Sequence, residues 1–137
     1  MAYVVDVGGD VSVTGQRAVD INGNNHGYVV SHVQFGKKPY FDQRDWLLTL
    51  TDLRSYEIEV EFDVFRLPKP IDGECPDYLL ISTTEKLCNR YSQKLLLNLS
   101  PSTNITFNLV SDDEPNKKAS KGFWIEYRGN LLSNQIL

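Results

Sequence analysis

Between Tyr56 and Val64 the chain alternates without a break. Tyr56, Ile58, Val60, Phe62 and Val64 hold the even positions, and Glu57, Glu59, Glu61 and Asp63 hold the odd ones between them. A period of two belongs to a β-strand, whose successive side chains point to opposite faces. The stretch therefore reads as a strand with its even residues on a core and its four acids in water. Shorter alternations follow at Leu95-Leu97-Leu99, Ile105-Phe107-Leu109 and Phe123-Ile125-Tyr127, each bounded by Pro, Gly, Ser, Asn or Asp. Leu47-Leu48-Thr49-Leu50, Tyr78-Leu79-Leu80-Ile81 and Tyr28-Val29-Val30 read as short strands buried more completely.

No segment of 11 or more residues has a convincing helical period. Short strands between turn clusters, without alternating helices, predict an all-β antiparallel sandwich or barrel rather than an α/β fold, with the β-sandwich favoured. The turn clusters are Asn22-Gly23-Asn24-Asn25, Gly36-Lys37-Lys38-Pro39, Pro68 to Gly73, Pro101-Ser102-Thr103 and the polar run Asp112 to Lys121. At 137 residues with 41% hydrophobic and 23% charged side chains, the chain suits one domain with a real core. Residues 1–6 are expected to extend ahead of that domain, 7–128 to form it, and 129–137, where the alternation ends, to be a tail or linker.

Charge narrows the partners. A net charge of −4 lacks the basic footprint of a nucleic-acid binder, and no run approaches the length of a membrane-spanning helix. The first residues carry no basic segment followed by an apolar one, so they are not a secretory signal. Cys75 and Cys88 are either two reduced thiols or a pair; if paired, they close a loop whose constraint is worth about 3 kcal/mol. There is no CxxC, and the two histidines, His26 and His32, lie more than 40 residues upstream of Cys75, which leaves zinc and thioredoxin-like chemistry without support.

From Trp46 onward the order of features resembles a CUB domain, an extracellular β-sandwich module, and the resemblance implies a sandwich of jelly-roll type. Trp46-Leu47-Leu48 is similar to that family's early tryptophan strand, Val60 to Leu67 to its phenylalanine-rich strand, and Cys75 to Ile81 to its cysteine-then-aspartate strand. Leu87-Cys88, Phe107 to Asp112 and Gly122 to Tyr127 resemble its second cysteine, serine-aspartate turn and final strand. Gly8-Gly9 resembles the family's opening glycines, but Val7 and Arg44 stand where its first disulfide would be, so that staple is absent.

The resemblance implies a Cys75–Cys88 disulfide and hence an oxidising, extracellular setting. The sequons at Asn98 and Asn104 are possible glycosylation sites compatible with that setting. It also implies a degenerate calcium site. Asp77 and Asp112 match two of the family's three carboxylates, but Pro68 stands at or beside the third. Calcium needs 6 to 8 oxygen ligands, so this site is expected to be empty unless Asp72, Glu74, Asp113 or Glu114 substitutes. No other cofactor is implied.

No nucleophile elbow, HExxH or phosphate loop occurs, and each histidine suits a surface or packing role, so no enzyme is expected. Trp46 and Trp124 suit either a sugar-stacking platform or ordinary packing. Glu57, Glu59, Glu61 and Asp63 form a negative ribbon that suits a basic partner, or else the wet face of a strand kept charged against edge pairing. The function expected is a non-catalytic extracellular module binding another protein, within a larger secreted or membrane-attached protein. The alternatives are a carbohydrate-binding sandwich and a regulatory appendage of a secreted protease.

Overall fold

The computed structural model describes residues 2–6, 9–13, 15–21, 25–31, 45–82, 85–111 and 121–133. Among these there are ten strands and no helix. They are β1 (Ala2–Asp6), β2 (Gly9–Val13), β3 (Gly15–Asp20), β4 (His26–Val30), β5 (Trp46–Thr51), β6 (Ser55–Arg66), β7 (Tyr78–Ile81), β8 (Leu95–Leu99), β9 (Ile105–Val110) and β10 (Gly122–Ser133). One sheet runs β2-β1-β4-β10-β6-β8 and the other β3-β5-β9-β7. Every pairing is antiparallel except β3 with β5, which is parallel.

The sandwich and the seven strands read from the alternations are present. Three more precede them. Residues 2–6, expected as an extension, form β1, a strand inside the larger sheet between β2 and β4. β3, at an edge of the smaller sheet, has the polar sequence Gln16-Arg17-Ala18-Val19-Asp20, as edge strands often do. Strand β6, by contrast, is interior, flanked by β10 and β8. Its acids are therefore no protection against edge pairing.

The facing sides of the two sheets enclose the core, in which Leu48, Leu50, Ile58, Val60, Leu79, Phe107, Ile125 and Tyr127 are wholly buried. Such side chains supply roughly 1.5 to 3 kcal/mol each on burial. Phe65 stacks on Phe123 at 5.8 Å, and Trp46 meets Phe123 at 6.0 Å. The first half of β6 follows the alternation, with Tyr56, Ile58 and Val60 buried. The second half does not. Trp124 pairs with Val64 while the next residue, Ile125, pairs with Phe62, so β6 carries an extra residue, Asp63, in a β-bulge. A bulge reverses the phase of the strand beyond it. Phe65 and Leu67 therefore enter the core, and Val64, expected there, is only half-buried on the other face.

β10 also continues past its apparent end, pairing with β6 as far as Ser133. Gly129 takes the inward position after Tyr127. A Cβ there would come within 2.9 Å of Ile58 Cδ1 and 3.2 Å of Tyr56 Cδ2, so any larger residue has to displace those side chains. The apolar alternation stops because the space is already filled.

Candidate interaction face and adjoining cleft

The outer face of the larger sheet is built from the wet positions of β4, β10, β6 and β8. Register sets their order: Arg128 lies between His26 and Glu59, Glu126 between Tyr28 and Glu61, and Leu96 beyond Glu59. The acidic ribbon is thus one row of a wider network. Lys94 Nζ, just before β8, lies 2.7 Å from Glu59 and 3.2 Å from Glu61. Glu126, only 9% exposed, receives His26 Nε2 at 2.6 Å and Arg128 at 3.2 Å on the same carboxylate oxygen.

These contacts set the protonation of the face. The hydrogen bond from His26, with Arg128 adding to it, holds Glu126 below the usual carboxylate range against the opposing effect of burial. The Lys94 hydrogen bond does the same for Glu59. Asp63 is pushed the other way, chiefly by loss of solvent and then by Glu126 and Glu61. The three carboxylates Glu61, Asp63 and Glu126 have oxygens within 4.8 Å of one another.

A group with a depressed folded pKa stabilises the fold above its unfolded pKa, and that contribution is lost as pH falls through the folded value. Glu126 is such a group; Asp63, with a raised pKa, has the opposite sign and disfavours the fold when ionised. Glu126→Gln is therefore expected to lower stability at pH 7 and to flatten its decline below pH ~4.5, whereas Asp63→Asn should raise stability at pH 7. Urea titrations at pH 7 and in mild acid measure both.

Aromatic side chains run through the same face. His26, Tyr28 and Trp124 form a row with ring centroids 5.4 Å apart at each step. Trp46 is instead buried in the core, its indole N–H donating to Ser31 O at 3.4 Å, so the two tryptophans form no common platform. The face is covered by no second layer among the described residues, and it combines aromatic, arginine and acidic groups with the exposed Leu96.

Beyond Val60 the sheet opens. β8 pairs with β6 only over Tyr56 to Val60, and the chain returns to β6 at the Arg66–Arg90 bridge and the Leu67 N–H bond to Asn89 O. Between these closures, Phe62 to Arg66 and Arg90 to Gln93 border a cleft of about 520 Å³, with Lys121 on its rim. Tyr91 sets its ring edge-on to Phe62 at 4.9 Å.

The other sequence-derived candidates lie elsewhere. Cys75 and Cys88 are joined in a disulfide beside the Leu79–Leu87 bridge. Asp77 is wholly buried with partners of its own, and Asp112 and His32 fall outside the described residues. Asp72 and Gly73, both at positive φ, form the two-residue turn between Ile71 and Glu74 and are exposed. Around Asp77 the described residues gather no three-carboxylate set; the one such set is on the outer face. Asn98 and Asn104 are exposed, Asn98 opposite Glu57. His26 begins β4. Glu126 and Arg128 occupy the wet positions between Ile125, Tyr127 and Gly129, a signal present in the alternation but not read from it.

No family model matches the sequence, and a search of curated proteins gives no match. Solved structures do match. The CUB1-EGF-CUB2 domains of rat MASP-1 align with a TM-score of 0.63 and 19% identity over 83% of this chain and 43% of that one. The full extracellular region of zebrafish Gpr126/Adgrg6 aligns at 0.63 and 18%, over 87% of this chain and 15% of that one. The MASP-1 CUB2 domain bound to Ca2+ aligns at 0.58 and 18%, over 85% of this chain and 99% of that one. The chain thus spans less than half the length of the first two. It has the fold of CUB domains, with one disulfide.

Proposed function

We propose that this chain is a non-catalytic extracellular module that binds another protein through the outer face of its larger sheet. The observation that carries the reading is the His26-Tyr28-Trp124 row set beside the Glu59, Glu61, Glu126, Arg128 and Lys94 network, on a sheet face that no second layer of described residues covers. Tyrosine, tryptophan and arginine are the residues that dominate protein interfaces, because they combine large contact area with directed polar groups. The fold and the disulfide support an extracellular setting. Two of the four ribbon acids, Glu59 and Glu61, are paired with Lys94, and Arg128 pairs with Glu126 beside them, so the partner is recognised by mixed charge and aromatic contact rather than by a bare negative strip.

A photo-reactive amino acid placed at Glu59 and, separately, at Lys69 tests this on cells displaying extracellular proteins. The Glu59 probe is expected to yield a discrete cross-linked protein and the Lys69 probe none. Equal products from both, or products from Lys69 alone, overturn the face assignment.

The reading also has the domain standing without tightly bound calcium. Pro68 offers no side-chain ligand where the family has a carboxylate, and Asp77 is wholly buried and already partnered. Thermal unfolding in a few millimolar calcium, compared with excess chelator, should shift by no more than about 3 °C. A shift of about 8 °C or more, abolished by Asp112→Ala, would contradict it.

A further inference from the structure

The cleft beside β6 has a chemistry unlike the rest of this acidic chain. Arg66, Arg90 and Lys121 line it, and none of them forms an ion pair among the described residues. Asp63 is the one acid in the lining. Three cations against one acid make the lining itself net positive in a protein of net charge −4, with Glu61 and Glu126 close by at its Asp63 end. Guanidinium groups match the planar, two-oxygen geometry of carboxylate and sulfate.

The remaining lining fits the rest of a ligand. Phe62 and Tyr91 are half-buried and offer apolar ring surface, while Ser92 and Gln93 are exposed and offer neutral hydrogen-bonding groups. The volume of about 520 Å³ lies in the range of small-molecule sites. Shape excludes one alternative. Along the sheet the cleft is closed by β8 at Val60–Leu95 and by the bridge at Arg66–Arg90, so an added peptide strand cannot run through it. A long polyanion is disfavoured too, because beyond the cleft it would lie on Glu57, Glu59 and Glu61. What fits is a compact ring carrying an oxyanion and hydroxyl groups.

We propose that this cleft binds the acidic end of a glycan, a sugar ring bearing a carboxylate or sulfate. The oxyanion lies between Arg66 and Arg90 with Lys121 at the rim, the ring rests on Tyr91 and Phe62, and Ser92, Gln93 and Asp63 meet its hydroxyls. The site adjoins the outer face, since Val64 pairs with Trp124 and Asp63 joins the Glu61 and Glu126 carboxylates, but Arg66, Arg90 and Lys121 are no part of the network proposed to bind protein, so either reading can fail without the other.

Titration calorimetry of the full chain with 3′-sialyllactose, 6-sulfated N-acetyllactosamine, lactose and a sulfotyrosine peptide tests it. At least one acidic saccharide should bind saturably in the millimolar range or tighter, and lactose should not. Arg90→Ala and Lys121→Ala, on separate segments with exposed side chains, should each weaken binding about tenfold as a charge-assisted contact is lost. Lys86→Ala, whose amine lies over the Tyr78 ring and outside the cleft lining, should leave it unchanged. Lack of binding by either acidic saccharide, equal binding of lactose, binding of the sulfotyrosine peptide alone, or full affinity in an Arg66→Ala/Arg90→Ala chain would each overturn the proposal.

Discussion

Phe65→Ala is expected to cost about 3 to 5 kcal/mol, the range for truncating a large aromatic side chain in a core. Phe65 is 5% exposed, stacks on Phe123, and meets Phe62 edge-on at 5.6 Å. Its neighbour Val64 is half-buried on the outer face, so Val64→Ala should cost under about 1 kcal/mol. The contrast reports on the bulge at Asp63. Without the bulge the strict alternation from Tyr56 would bury Val64 and expose Phe65, and the two costs would exchange places. Urea unfolding of both variants distinguishes the registers, and a larger loss at Val64 would show that the bulge is absent.

Removing the disulfide should have the other large effect. Cys75 and Cys88, 13 residues apart, close the excursion around β7, an edge strand whose outer side meets the Leu79–Leu87 bridge among the described residues. Cross-linking a loop of this length limits the unfolded chain and stabilises the fold by about 3 kcal/mol. The Cys75→Ser/Cys88→Ser chain is therefore expected to melt roughly 10 °C below the oxidised protein. β7 should lose hydrogen-exchange protection first, since it keeps only β9 as a strand partner. A melting temperature unchanged within error, or two free thiols in protein folded under oxidising conditions, would contradict this.

The strands that were legible in the sequence are those whose buried face is lined by large apolar residues at every second position, such as Ile105-Phe107-Leu109 and Phe123-Ile125-Tyr127. Edge strand β3 has one apolar pair, Ala18 and Val19, in a polar run, and pairing rather than burial defines it. The phase change at Asp63 was hidden because Phe62-Asp63-Val64-Phe65 offers apolar residues in both phases. Only the partner strand decides which phase is buried. Gly129 hid the end of β10 for a related reason: the inward position exists, but Tyr56 and Ile58 occupy its space.

The site was legible in proportion to how local it is. Four acids of the outer face stand together on β6, and they were read from the alternation. Their cations come from other segments, Lys94 before β8 and Arg128 on β10, and His26 reaches Glu126 across 100 residues of sequence. The cleft is less local still. It exists because the pairing of β8 with β6 ends at Val60 and the chain before β8 meets β6 at the isolated Arg66–Arg90 bridge, which nothing in residues 62–66 or 90–93 announces.

The outer sheet face, rather than a loop, is the surface proposed to bind a protein partner. The most direct test is the binding of the multimerised chain to an array of secreted proteins and cell-surface ectodomains, with Arg128→Glu and Lys69→Glu compared with the unaltered chain. Arg128 belongs to the network around Glu126, and Lys69 is exposed in the Pro68 to Gly73 turn region. The account predicts a saturable ectodomain signal that Arg128→Glu weakens tenfold or more, about 1.4 kcal/mol, and that Lys69→Glu leaves intact. A signal lost with Lys69→Glu and kept with Arg128→Glu would contradict it.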